Sequence, residues 1–291
     1  MIIGRFAPTP SGALHMGSLV AAMASYLAVP ADGVWLLRID DIDAPRVVPG
    51  SADRIIRQLD TFGFQWHGEI VWQSRRLERY RSALDQLRQQ GLVYACECSR
   101  KTLTGVAETG PQGIIYPGLC ANKNLPEPGN ALRLRVTDKA LCFDDACVGR
   151  ICENLNKTTG DFIVQRRDGV ISYHLATVVD DADAGVNQVV RGADLLGSTA
   201  RQIRLQHLLG LPVPDYAHIP LVVNAQGRKL SKQNLAPELD ESRPLPLLLD
   251  AWRLLGQSPL TQGPDDVASF WVLARSAFDL SRAAAKQQQY D

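Results

Sequence analysis

Within residues 1–29 a strand-like run, a proline-stiffened turn and an apolar helical segment follow in immediate succession, and no other feature restricts the fold as strongly. Residues 1–7 read as a short buried strand. Pro8-Thr9-Pro10-Ser11-Gly12 ends it, because proline fixes its own φ and has no N–H to give a sheet interior. Residues 14–29 hold good helix formers and no internal proline. Residues 34–39 (VWLLRI) are a second apolar run of strand length, ending at the acidic cluster Asp40, Asp41 and Asp43. Residues 51–62 and 75–90 are helical by length and periodicity. Strand, turn, helix, strand, helix opens a doubly wound α/β domain with a Rossmann-like parallel sheet.

Further along, residues 132–136 and the region 162–179 read as strands, with Arg167-Asp168-Gly169 as a hairpin turn. Residues 186–190 form a strand leading into a helix over 193–209. Residues 219–223 are another strand, followed by a polar loop over 224–233. From residue 245 onward the chain reads as helical. Between about 94 and 129 cysteines, glycines and prolines cluster, the texture of a small inserted module with little core of its own. At 291 residues, one main domain with a smaller insertion is the expected organisation. It divides into residues 1–93 and 131–240 as halves of the main domain, 94–130 as the insertion, and 241–291 as a helical C-terminal region.

Hydrophobic residues make up 45% and charged residues 21%, which argues against long disorder. The formal net charge of +0 gives no bulk reason to propose a nucleic-acid partner, yet a local basic surface would suffice for one. Residues 19–29 are too short and alanine-rich to span a bilayer, and Arg5 interrupts any leader-like start. The expectation is a cytoplasmic protein with no membrane partner, whose six cysteines are reduced and serve metal binding or core packing.

Two segments have the chemistry of phosphate grips. In Arg5–Ser18 (RFAPTPSGALHMGS) a helix opens near His15, and free N–H groups at a helix start favour phosphate oxygens. Gly17 lets a nucleotide approach the backbone, and His15 is placed to donate to a phosphate. In Gly227-Arg228-Lys229-Leu230-Ser231-Lys232-Gln233 two lysines three residues apart hold phosphates as mobile point charges on a loop.

The pair resembles the class I aminoacyl-tRNA synthetases, whose HIGH and KMSKS signatures stand here as His15-Met16-Gly17-Ser18 and Lys229-Leu230-Ser231-Lys232-Gln233. Ser18 replaces the second histidine, a position that glutamate-type members commonly relax. RFAPTPSG from Arg5, LRIDDID from Leu37 and VVRGADLLGST from Val189 are similar to the glutamyl-tRNA synthetase branch. Full-length members of that branch carry a large C-terminal anticodon-binding region, whereas this chain ends soon after Lys232. In that respect it looks like the glutamyl-queuosine tRNA(Asp) synthetase family, which attaches glutamate to queuosine at the wobble position of tRNA(Asp).

The resemblance implies a glutamate site of Arg5, Phe6, Ala7, Pro8, Thr9, Asp40, Tyr173 and Arg191. Guanidinium groups suit a substrate with two carboxylates, and Asp40, where the family usually has glutamate, would hold the α-ammonium. ATP with Mg²⁺ would lie on His15, Gly17, Ser18 and Lys232, with His15, Lys229 and Lys232 catalytic. Cys96, Cys98 and Cys120 point to structural zinc, and the family's tyrosine ligand matches Tyr116, with Glu97 or water as the alternative fourth ligand. Cys142, Cys147 and Cys152 are taken as small core residues.

The implied first step is attack of the glutamate α-carboxylate on the ATP α-phosphate, which needs no general base. A queuosine ring hydroxyl in the anticodon loop of tRNA(Asp) would then take the glutamyl group, with the enzyme acting as a monomer. The alternatives are a truncated glutamyl-tRNA synthetase charging a tRNA 3′ end or another acceptor, and a non-catalytic paralogue that binds tRNA.

Overall fold

A computed structural model describes residues 1–223, 237–284 and 288–289. The expected opening is present. Strand β1 (Ile3–Phe6) leads through the proline turn into helix α1 (Met16–Leu27), and β2 (Val34–Ile39) lies parallel to β1 with Arg5 opposite Leu36. Helix α2 (Ser51–Thr61) follows, then β3 (Val71–Trp72), parallel to β2, and α3 (Leu77–Gln89). The proline turn is held from α2, where Ser51 Oγ accepts from the Gly12 N–H at 2.7 Å and the buried Gln58 from the Leu14 N–H at 2.8 Å.

Strand β4 (Val93–Cys96) enters the cysteine region, which holds α4 (Arg100–Thr104) and a small ladder of β5 (Thr109–Gly110) with β6 (Gly113–Ile114). Strand β7 (Ala131–Leu134) returns antiparallel to β4, and later β10 (Phe162–Gln165) covers its other edge. Between them lie β8 (Leu141–Asp145), β9 (Gly149–Glu153) and the short α5 (Leu155–Thr158).

The β8–β9 hairpin, absent from the sequence reading, corrects the expectation for two cysteines. Cys142 and Cys152 face each other directly across it, both exposed, and are joined as a disulfide, so they are neither reduced nor in the core. Antiparallel strands bring facing Cβ atoms within disulfide reach, and alternation turns this pair outward. Cys147 alone is partly buried, against the main core.

The region expected as strands over 162–179 is strand only at its start. After the turn at Arg167-Asp168-Gly169, Ser172 caps helix α6 (Tyr173–Asp183), its hydroxyl accepting from the Leu175 N–H at 3.4 Å. Leu175, Ala176, Val178 and Val179 are buried on one face, so tertiary burial overrides the strand preference of the two valines. Next come β11 (Gln188–Gly192), α7 (Leu196–Leu209), β12 (Asp215–Ile219) and β13 (Val222–Val223). Helices α8 (Pro244–Leu254) and α9 (Val267–Ala277) supply the expected helical C-terminal region, and β14 (Gln288–Gln289) pairs with β13.

Strands β11 and β12 run parallel, and β12 meets β8 through Tyr216 and Asp145. This group abuts β1, where the Asn187 N–H donates to the Ile3 carbonyl at 3.0 Å and the Asn187 side chain accepts from the Ile3 N–H at 2.8 Å. Chain order therefore reverses beside β1, and the crevice at the carboxyl ends of β1 and β11 is where a doubly wound sheet binds ligands. Helices α1, α8 and α9 pack with β1 and β2 into one core. In it Tyr26, Trp35, Phe64 and Trp271 interlock with ring centroids 4.8 to 5.6 Å apart. Helices α3, α6 and α7 pack against β4, β7 and β10 in a second core. Among the described residues no helix is long and apolar enough to cross a membrane.

Candidate active site

The crevice holds a cavity of about 340 Å³ lined by Arg5, Phe6, Ala7, Pro8, Thr9, His15, Gly17, Ser18, Tyr173 and Arg191, and also by Val222. Residues from β1, the proline turn, α1, α6 and β11, named from the sequence and from the family resemblance, thus line one cavity. Asp40 is placed differently. It lines an adjoining cavity of about 400 Å³ that shares Thr9 and Tyr173 with the first. Its carboxylate is engaged by Arg38, with Nε 2.7 Å from Oδ1. Burial, only partly offset by Arg38, pushes the Asp40 carboxyl up to about 6.

His15 is the N-cap of α1 and lies half-buried. Its Nδ1 accepts from the Ser18 N–H at 3.3 Å, so in the neutral ring the proton is on Nε2. No acidic side chain sits in the first turn of α1, so the helix itself places no negative charge at its positive end, where Gly17 and Ser18 line the cavity.

Lys229 and Lys232 lie outside the described residues. Both flanks of their segment are at the cavity. Val222 lines it, and on the other side the Leu239 N–H donates to the Leu14 carbonyl at 3.0 Å while Glu238 bridges to His15.

The two candidate substrate arginines are both buried and both held from behind. Arg5 Nε is 3.2 Å from Asp181 Oδ1, and Arg38 Nη1 donates to the same oxygen at 2.5 Å. Burial alone would raise the Asp181 carboxyl, but Arg5 and Arg38 outweigh it and hold it below its ordinary range. Arg191 Nε donates to His218 Nε2 at 3.0 Å and Nη2 to Thr199 Oγ1 at 2.8 Å, leaving Nη1 3.5 Å from the Tyr173 hydroxyl. Asp181, Arg38, Thr199, His218 and Asp145 were not singled out from the sequence. A histidine inside an apolar strand (DYAHI) reads as core, and its partners are distant in the chain.

The cysteine region is built as expected. Cys96, Cys98 and Cys120 place their sulfurs within 4.8 Å of one another and form a group that can hold a metal ion. Cys98 Sγ is 3.5 Å from Cys120 Sγ, and the Tyr116 hydroxyl is 3.3 Å from Cys96 Sγ and 3.9 Å from Cys98 Sγ. Tetrahedral zinc, with bonds of about 2.3 Å to sulfur and about 2.0 Å to oxygen, needs donors spaced by roughly 3.5–3.8 Å. The spacings of 3.3, 3.5 and 3.9 Å lie within a few tenths of an ångström of that demand. Arg133 supports them, its Nε 3.2 Å from Cys96 Sγ and its guanidinium 3.6 Å above the Tyr116 ring. Gly160 lets the chain pass under Tyr116. Its φ is +63°, and a Cβ there would lie 2.1 Å from the Tyr116 carbonyl oxygen.

Residues 1–243 match the family model of tRNA synthetases class I (E and Q), catalytic domain. The chain is 52% identical over 261 residues to the glutamyl-Q tRNA(Asp) synthetase of Ectopseudomonas mendocina (strain ymp), covering 89% of this chain and 87% of that one. It is 48% identical over 287 residues to the glutamyl-Q tRNA(Asp) synthetase of Klebsiella pneumoniae (strain 342), covering 98% and 93%. In fold it is similar to the crystal structure of glutamate-tRNA synthetase from Elizabethkingia anophelis, with a TM-score of 0.82 and 23% identity over 100% of this chain and 68% of that one.

Proposed function

Since the chain belongs to the class I (E and Q) tRNA synthetases, and within them to the glutamyl-Q tRNA(Asp) synthetase family, we propose that it activates glutamate with ATP and transfers it to queuosine in the anticodon loop of tRNA(Asp). The observation that carries the reading is the meeting of Arg5, Thr9, Tyr173 and Arg191 with His15 and the α1 N-terminus in one cavity. Guanidinium groups for carboxylates and a helix start for phosphates are the two halves an acyl-adenylate needs.

In this reading the α-carboxylate attacks the α-phosphate and pyrophosphate leaves. A carboxylate is already ionised at neutral pH, so the protein contributes position and charge. His15 Nε2–H and the first-turn amides of α1 take up charge on the phosphates, and Lys229 and Lys232 would add positive charge to them, with Mg²⁺ as ATP's counter-ion. The adjoining cavity, with Thr9 and Tyr173 in common and Asp40, Arg46 and Arg166 on its walls, is the approach for the acceptor nucleoside. Cys96, Cys98, Tyr116 and Cys120 would hold one structural zinc that ties β4 to the inserted loop. The enzyme works as a monomer in the cytoplasm.

Three outcomes test this. ATP–pyrophosphate exchange that depends on glutamate and proceeds without tRNA is expected, and its absence would remove the enzyme reading. Lys232→Ala is expected to lower that exchange by about 10²–10³-fold with an unchanged melting curve, as loss of a charge that stabilises the transition state does. Equal rates would remove its assigned role. Labelled glutamate should remain on tRNA(Asp) whose 3′ end alone is blocked. Label found only at a free 3′ end would favour the end-charging alternative.

Zinc is tested separately. Cys120→Ser is expected to lose the metal by elemental analysis and to melt several degrees lower, because metal binding adds directly to folding stability. A variant of unchanged metal content and melting temperature would refute the four-donor site.

A further inference from the structure

Arg191 meets the cavity with a guanidinium already gripped on its far edge. Strand register sets Arg191 directly opposite His218, so the two side chains emerge on the same face of adjacent strands. His218 is 1% exposed, and its Nδ1 lies 2.6 Å from Asp145 Oδ2. Asp145 is itself fixed, since its Oδ1 accepts from the backbone N–H groups of Cys147 and Val148 at 3.0 Å and of His218 at 3.2 Å.

These contacts specify one tautomer. A guanidinium has donors and no acceptor, so the His218 nitrogen facing Arg191 Nε must carry a lone pair. The one proton of the neutral ring therefore sits on Nδ1, against the Asp145 carboxylate. Thr199 Oγ1 closes the group, accepting from Arg191 Nη2 at 2.8 Å and lying 3.1 Å from His218 Nε2. With Nε and Nη2 bound, the guanidinium cannot rotate, and Nη1 remains on the Tyr173 side.

We propose that Asp145 and His218 are positioning residues for amino-acid recognition, holding Arg191 with its Nη1 edge on the cavity so that it meets a substrate carboxylate already oriented. This rests on the reading of Arg191 as a glutamate contact. Neither residue touches substrate. Their effect is to remove the cost of ordering a long, rotatable side chain when the carboxylate arrives.

Asp145→Asn in the full chain is the decisive variant. An asparagine amide can donate to Nδ1, which moves the ring proton to Nε2 and sets it against Arg191 Nε–H. A comparable carboxylate-to-amide change inverts the histidine tautomer in serine proteases. The expected result is a KM for glutamate raised about tenfold or more in pyrophosphate exchange, with KM for ATP and kcat within about twofold. Nitrogen NMR of the imidazole should show the proton on Nδ1 in the parent chain and on Nε2 in the variant. His218→Gln, which restores an acceptor toward Arg191, should lie between His218→Ala and the parent in KM for glutamate, and it serves if the Asp145 variant does not fold.

An unchanged KM for glutamate in Asp145→Asn, with the tautomer inverted, would overturn the proposal. So would a parallel rise of both KM values with a fall in melting temperature, the mark of a purely structural link between β8 and β12. Arg191→Ala run alongside separates the two levels. If it leaves KM for glutamate unchanged, the glutamate-site reading has failed. If it raises KM and Asp145→Asn does not, only the positioning has failed.

Discussion

Arg38→Met is expected to destabilise the protein by about 3–5 kcal/mol, on the order of 10 °C in melting temperature for a domain of this size. Arg38 is 4% exposed and lies within 3.6 Å of three carboxylates, those of Asp40, Asp180 and Asp181. Asp180 has further donors in Gln73, Arg76 and Tyr80, and Asp181 has Arg5. Removing the central cation leaves Asp40 without its ion-pair partner and Asp181 with one fewer, which costs far more than the pair contributes relative to an apolar substitute.

The pH dependence has a definite sign. Burial raises the Asp40 carboxyl to about 6, so the native state binds more protons there than the unfolded chain, and stability from this group falls as pH rises from about 4 to about 6. Asp181 is held low, so its contribution is present above about 4 and is lost as pH falls through its folded value. Without Arg38 both carboxyls move up, and the deficit against the parent chain grows with pH. Denaturant melts at pH 5 and pH 7 check this, and an equal deficit at both would contradict the hub role.

Arg191→Ala is expected to lower kcat/KM for glutamate in pyrophosphate exchange by about 10²–10³-fold, mainly through KM, as truncation of a buried, hydrogen-bonded charge does. Arg191→Lys should be nearly as impaired. An ammonium cannot hold His218, Thr199 and a carboxylate along one rigid plane as the guanidinium does. KM for ATP should stay within about twofold, since the phosphate contacts assigned to His15 and the α1 N-terminus lie elsewhere on the wall. Exchange kinetics with each substrate varied in turn provide the check, and an unchanged KM for glutamate would remove Arg191 from the site.

Much of the site was legible because its signals are local. The proline turn, His15 at the start of α1 and Gly17 and Ser18 behind it occupy one short stretch, where strand end, cap and helix start determine one another. The three cysteines were legible for the same reason, whereas Tyr116 was named only through the family resemblance. Misreadings came where local preference and tertiary burial disagree. The valines of α6 favour a strand until Ser172 caps them into a helix, and Cys142 and Cys152 look like core residues until a hairpin turns them outward.

The sequence by itself determined the reaction type, through residue types whose chemistry survives any detail of packing: a helix start for phosphates, arginines for carboxylates, thiols for a metal. Only the tertiary structure decided how the arginines are aimed. Arg5 is set by Asp181, 176 positions away, and Arg191 by His218, 27 positions away, which is itself set by Asp145 across 73 positions. Hydrogen bonds across such separations exist only after the sheet has closed and water is excluded. In that low-dielectric interior a proton on one histidine nitrogen and a guanidinium plane become fixed, and no spacing rule along the chain encodes either.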